Sequence, residues 1–208
     1  MSDDRIRSIS CSKSSGEDGA HDEKSGSGLL SGIVAFFSRK KKHRIALTGL
    51  DCAGKTTLLY SLNAGQPTDL IPQIGMHYEI LEHKDIHFTS WDVGGSDKIE
   101  ALRRPFYKDT AAVMFIVDCN DHDRMFEAHK ELQKLYVEDD LKHCPLLVLA
   151  NKQDIPTAAT IEEVIGLLGI ASLPADVEWN VQGTIISTGL GVPQAFQWLS
   201  GVFDRHEK

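Results

Sequence analysis

The sequence has few of the features that mark secreted, zinc-binding or membrane-spanning proteins. Its four cysteines (Cys11, Cys52, Cys119 and Cys144) form no C-x-x-C pair, which argues against a disulfide framework or a zinc site and favours a reducing compartment. The apolar run at 28–37 is too short to span a bilayer. Acidic residues number 30 against 22 basic ones, which argues against a nucleic-acid partner. We therefore expect a protein of a reducing compartment, the cytosol or the nucleus, and assign it to the cytoplasm.

The composition is that of one globular domain behind a polar extension. The chain has 208 residues, of which 41% are hydrophobic and 25% charged, so it is long enough for one complete core. Residues 1–27 are rich in Ser, Gly, Asp and Lys and are predicted to be a disordered extension. Residues 28–43 are predicted to be an amphipathic helix with a basic cluster, and residues 44–208 the folded domain.

Apolar strand patterns and helical patterns alternate along the predicted domain. Strands are predicted at 44–50, 77–83, 86–93, 111–118, 145–151 and 181–188. Helices are predicted after the first strand, at 123–141, at 160–169 with Thr160 as its cap, and at 192–203 with Pro193 in its first turn. This alternation predicts an α/β fold with a doubly wound, mostly parallel six-stranded sheet flanked by helices, and ligands at the carboxyl ends of its strands.

The stretch GLDCAGKTT at 49–57 fits the pattern GxxxxGK[ST], with a predicted strand before it and a predicted helix after it. Two glycines allow the backbone N–H groups to approach phosphate oxygens, the lysine places a cation on the β- and γ-phosphates, and the first threonine can ligate Mg²⁺. The start of the helix adds its positive end. We therefore predict that phosphate is bound by Gly49, Leu50, Asp51, Cys52, Ala53, Gly54, Lys55, Thr56 and Thr57.

The stretch WDVGGSDK at 91–98 places a carboxylate at the end of a predicted strand and two glycines behind it. Asp92 is predicted to hold Mg²⁺ through water. Gly94 and Gly95 would allow a backbone N–H to reach the γ-phosphate and the segment to rearrange when that phosphate leaves. The alternative, a glycine-rich hairpin turn, would not need an aspartate at that position.

The stretch NKQD at 151–154 follows the apolar strand PLLVLA. Asp154 can accept hydrogen bonds from the N1–H and the exocyclic amine of guanine, a pair of donors that adenine lacks. Asn151 can tie loops together and touch the base edge, and the stem of Lys152 can lie over the purine or the ribose. This loop predicts a guanine nucleotide and disfavours the alternative of an ATP-using kinase or ATPase.

Together GLDCAGKTT, PQIGMHYE, WDVGGSDKI and NKQD resemble the Arf/Arl branch of the small GTPases over about residues 29–203. The sequence WDVGG and an amphipathic segment ahead of the first strand are typical of that branch. The resemblance implies a P-loop NTPase small G domain that switches between GTP and GDP with Mg²⁺. It also implies exchange factors, GTPase activators and effectors, a role in membrane trafficking, and a register shift of the 77–93 hairpin coupled to the N-terminal helix.

The sequence departs from the family pattern at two positions that bear on hydrolysis. Gln73 stands where a threonine would ligate Mg²⁺, so we expect weaker or altered metal coordination. Ser96 stands where a glutamine orients the attacking water, next to Gly95, which is expected to sense the γ-phosphate. We therefore expect slow hydrolysis. Two alternatives remain: another group positions the water and Ser96 is harmless, or the chain is a nucleotide-binding scaffold without meaningful turnover.

A third departure concerns the base. Ile186 stands where the family usually has a small residue whose backbone N–H meets the guanine O6. The N–H is retained, and the larger side chain is expected to loosen base binding.

Two surfaces are expected to meet partners. The partner-binding patch of the family maps to Met76, Trp91 and Phe106, with core packing as the alternative for Phe106. Segment 29–44 is predicted to make reversible contact with a cytoplasmic membrane leaflet, or to pack into a groove of its own domain. The chain begins Met-Ser and lacks the glycine that myristoylation requires, so we expect this attachment to be weak.

Overall fold

The structure is a computed structural model that describes residues 43–63, 78–83, 86–91 and 104–206. The predicted disordered extension and amphipathic helix lie outside the described residues. The strands are β1 (His43–Thr48), β2 (Tyr78–His83), β3 (Ile86–Trp91), β4 (Ala112–Asp118), β5 (Leu146–Asn151) and β6 (Trp179–Gly183). The helices are α1 (Lys55–Asn63), α2 (Met125–Leu135), α3 (Ile161–Leu168) and α4 (Val192–His206).

The six strands form one sheet in the order β2-β3-β1-β4-β5-β6. Strand β2 is antiparallel to β3, and every other neighbouring pair is parallel. The predicted mostly parallel six-stranded sheet is therefore confirmed. Because the strand order changes direction at β1, the loop that leaves the carboxyl end of β1 lies at the topological switch point, where open α/β sheets bind their ligands.

The sheet is apolar on both faces because helices cover both. On one face Ile45 and Leu47 of β1 share a cluster with Phe196 of α4, whose ring meets Phe88 edge-on with the centroids 6.0 Å apart. On the other face Phe115 of β4 belongs to a second cluster, which includes side chains of α2 and α3. Continuous apolar strands are what a parallel sheet buried on two sides requires.

The start of α3 was predicted from Thr160, and the structure confirms it. The Thr160 hydroxyl accepts a hydrogen bond from the Glu163 N–H at 3.3 Å, and the Glu163 carboxylate accepts one from the Thr160 N–H at 2.8 Å. This reciprocal pair is a capping box, and the backbone hydrogen bond from Thr160 lowers the pKa of Glu163. Pro193 lies in the first turn of α4, also as predicted.

Three predicted boundaries are wrong, each for a physical reason. Strand β1 ends at Thr48 and not at residue 50, because the chain turns at Gly49 with a φ of 141°. The helix predicted over 123–141 is a 3₁₀ turn at His122–Arg124 followed by α2, which ends at Leu135. Leu141 is fully buried from a turn, so the apolar periodicity continued past the helix.

The last strand ends at Gly183 and not at residue 188. Beyond it the backbone turns, and Ile185 pairs with Leu190 in an isolated antiparallel bridge. The apolar run there reflects side chains buried from a loop.

Candidate nucleotide-binding site

The loop between β1 and α1 is shaped by two glycines. Gly49 has a φ of 141°, and a Cβ added there would lie 2.1 Å from the backbone oxygen of Ile116. Gly54 has a φ of 116°, and a Cβ there would lie 2.6 Å from the amide nitrogen of Asn151. No larger residue fits either position without moving its neighbour, so the close approach of this loop to β4 and β5 depends on glycine.

Lys55 begins α1 and lies inside the curve of this loop. Its ammonium donates hydrogen bonds to the backbone oxygens of Gly49 at 2.7 Å and Leu50 at 2.6 Å, and the residue is only 5% exposed. The cation is therefore fixed at the centre of the loop, the arrangement that suits a phosphate group. Thr56 and Thr57 follow on the first turn of α1 and are exposed.

Asn151, the last residue of β5, joins this loop to two other segments. Its amide nitrogen donates to the backbone oxygen of Ala53 at 2.8 Å. Its amide oxygen accepts from the backbone N–H of Ile186 at 3.0 Å and from the hydroxyl of Thr184 at 3.4 Å. The side chain is buried, so these bonds hold three loops at fixed positions.

Lys152 follows with a positive φ of 67°, and its ammonium pairs with the Asp118 carboxylate at 2.6 Å. Strand register explains the pair, because Asp118 and Asn151 are partners at the carboxyl ends of β4 and β5. The ion pair fixes the stem of Lys152 along one side of the site.

These loops surround a cavity of about 290 Å³. Cys52, Gly54 and Thr57 line it from the first loop and the start of α1, and Asn151, Lys152 and Asp154 line it from the loop after β5. Asp154 is exposed at the rim of this cavity. Two segments that are about a hundred residues apart in the chain thus share one concave site.

The comparison with known families agrees with this geometry. Residues 29–203 match the model described as Arf, the ADP-ribosylation factor family. The chain belongs to the ADP-ribosylation factor family. As a member, it is a small GTPase with a P-loop fold and acts as a nucleotide-binding switch. GTPases of the Arf family bind GTP and GDP, generally with Mg²⁺, and interact with exchange factors and effectors.

Not every predicted site residue of this Arf-family protein lies in a described segment. Those outside the described residues are Gln73, Met76, Asp92, Gly95 and Ser96. Trp91 ends β3, and Phe106 is half-buried in a helical turn at 104–107. In the part of the chain that the structure describes, no helix is long and apolar enough to cross a bilayer.

Ile186 lines the cavity and also packs into the core. Its side chain is 2% exposed and belongs to the core cluster beneath the loop between β1 and α1 at 49–54, called the phosphate-binding loop, together with Ala53 and Leu58. Its backbone N–H, which was expected to meet guanine, donates to Asn151. The large side chain therefore supports the loop from below.

Two contacts of the site were missed from the sequence. The first is the ion pair between Asp118 and Lys152, which the pairing of β4 with β5 brings together. The second is Arg124, whose guanidinium reaches Asp51 in the phosphate-binding loop. The only sequence signal for it is the spacing Asp121-x-x-Arg124, which suits a side-chain cap at the start of a helical turn.

Proposed function

We propose that this small GTPase holds the phosphates of GTP and GDP with Lys55 and the backbone of 49–57, and reads guanine with Asp154. The observation that supports this most directly is the hydrogen bond from Asn151 to Ala53, which joins the two loops around one cavity. A carboxylate at the rim can accept hydrogen bonds from the N1–H and the exocyclic amine of guanine, a pair of donors that adenine lacks.

We further propose that Mg²⁺ accompanies the nucleotide. The Thr56 hydroxyl stands next to Lys55 at the start of α1, and hydroxyl oxygen is a hard donor of the kind that this ion prefers. The other proposed protein ligands of the ion are Asp92, which would bind it through water, and Gln73. When bound, the ion neutralises charge on the β- and γ-phosphates.

Hydrolysis is proposed to be slow. A backbone N–H at Gly95 would contact the γ-phosphate, but Ser96 is too short to orient the attacking water. Intrinsic rates in this fold class are already on the order of 10⁻⁴ per second. Single-turnover phosphate release should therefore be faster in Ser96→Gln than in the wild type, and equal rates would contradict the proposal. Tight GTP binding with no release in either protein would support the scaffold alternative.

The nucleotide state is proposed to control partner binding, in membrane trafficking, through Met76, Trp91 and Phe106. Segment 29–44 would contact a cytoplasmic leaflet reversibly, since basic residues are attracted to anionic lipid. Flotation with anionic vesicles should recover more protein with a GTP analogue than with GDP. Equal, negligible recovery in both states would remove the membrane proposal.

The nucleotide assignment is tested by binding of fluorescent GDP and ADP to the purified chain. The wild type should prefer GDP, and Asp154→Asn should lose at least about tenfold in GDP affinity, since a hydrogen bond to a charged group is worth about 1.5–3 kcal/mol. Asp140→Asn is a matched control, because Asp140 is exposed and does not line the cavity. Equal affinity for GDP and ADP, or an unchanged Asp154→Asn variant, would overturn the assignment.

A further inference from the structure

A basic side chain from outside the phosphate-binding loop contacts the loop's only carboxylate. Arg124 ends the 3₁₀ turn at His122–Arg124, just before α2. Its Nη1 lies 2.5 Å from Oδ1 of Asp51, and its Nη2 donates to the backbone oxygen of Asp51 at 3.4 Å. One guanidinium thus contacts both the side chain and the backbone of a single residue in the loop.

Arg124 is itself held in place by a second carboxylate. Its Nε lies 2.7 Å from Oδ2 of Asp121, and its Nη2 lies 2.6 Å from the same oxygen. Its backbone N–H also donates to Asp121 Oδ1 at 3.3 Å. Because Asp121 already orients the guanidinium, little additional side-chain entropy is lost when it meets Asp51.

Asp51 needs a partner of this kind once a polyphosphate is bound. It lies between Gly49 and Gly54, in the loop proposed to hold the phosphates, and its carboxylate carries a charge of the same sign as theirs. Like charges at short range repel, and the repulsion grows with the charge of the ligand. A guanidinium on Asp51 neutralises that carboxylate before the nucleotide arrives.

We propose that Arg124 is a positioning residue of the phosphate-binding loop. It neutralises Asp51 and fixes the backbone there, so that the loop accepts the higher charge of a triphosphate. Arg124 thereby favours GTP over GDP binding, compared with a loop that carries an unpaired carboxylate. This inference rests on the proposed function, because it requires that the nucleotide phosphates lie in this loop.

The test compares the affinities of fluorescent GTP and GDP analogues for the full chain and its variants. Arg124→Gln should lower the affinity for GTP by about fivefold, as expected for the loss of a partly exposed ion pair. It should lower the affinity for GDP by less. The loss should shrink in 1 M salt, where the screening length is about 3 Å. The double variant Asp51→Asn/Arg124→Gln should recover most of the GTP affinity, and Arg124→Lys should lose less than Arg124→Gln.

Arg205→Gln is the control, since Arg205 is also an arginine in an exposed ion pair but its partner is Glu178 and not a residue of the phosphate-binding loop. If Arg124 had only a structural role, Arg124→Gln would lower the affinities for GTP and GDP equally, and adding Asp51→Asn would not restore them. That result would overturn the inference. So would unchanged affinities in Arg124→Gln. If Arg124→Gln does not fold, Asp51→Asn and Arg124→Lys decide. Both should keep a GTP-to-GDP affinity ratio near that of the wild type, because the first removes the charge that Arg124 neutralises and the second keeps a cation beside it. A ratio shifted toward GDP in either variant would overturn the inference. A wild type that binds neither analogue would instead contradict the proposed function.

Discussion

Asn151 shows how much of the site depends on one buried amide. Its nitrogen donates to Ala53, and its oxygen accepts from Ile186 and Thr184. A buried amide left without these partners would cost about 1–3 kcal/mol for each unsatisfied group. Asn151 therefore holds the loops together by hydrogen bonds and is also a candidate contact to the base.

Ile186 gives a prediction at the same scale. Because its side chain is 2% exposed beneath the phosphate-binding loop, Ile186→Ala should leave a cavity there. We expect the free energy of unfolding to fall by about 2–4 kcal/mol, measured by urea denaturation. Leu190→Ala, in the same loop but 62% exposed, is the control and should change it by less than about 0.5 kcal/mol.

The opposite result would favour the interpretation from sequence alone. If Ile186→Ala were as stable as Leu190→Ala and bound guanine nucleotide more tightly than the wild type, the bulk of this side chain would be an obstacle to the base and not a support for the loop.

At the scale of elements, the sequence predicts the type and order of the helices and strands better than the residues at which they begin and end. Strand β5 and the capped start of α3 are marked by local chemistry, an apolar run in the first case and Thr160 with Glu163 in the second. The ends of α2 and β6 are not so marked, because Leu141 and Ile186 are buried from turns and continue the apolar pattern beyond the element. An apolar pattern reports which side chains are buried, and side chains can be buried from turns as well as from helices and strands.

The same distinction applies to the site. Lys55 and Asp154 could be predicted because each belongs to a contiguous motif whose spacing already fixes its geometry. Arg124 and Asp118 could not, because their partners are brought to them by the tertiary fold, 73 residues away for Arg124 and 34 for Asp118. A side chain that contacts the site from a distant element belongs to no local motif, so the sequence around it does not predict the contact.

At the scale of the whole molecule, the site and the core are parts of one unit. The phosphate-binding loop leaves β1 at the centre of the sheet, and Ile186 continues the core up to that loop. A ligand that binds only the folded chain stabilises it by mass action, by about 2.7 kcal/mol at a hundred times its dissociation constant. Nucleotide binding should therefore stabilise the whole domain and not the loops alone.

This gives the prediction for the whole protein. At that excess GDP should raise the melting temperature of the nucleotide-stripped protein by about 5–10 °C, given about 2–4 °C per kcal/mol for a chain of this size. The measurement is differential scanning fluorimetry of the same sample with GDP, with ADP and without nucleotide. ADP at the same concentration should raise the melting temperature far less, because it lacks the two donors that Asp154 would accept. An equal shift with ADP would mean that the phosphates alone account for binding, and no shift with GDP would mean that the cavity does not hold the nucleotide.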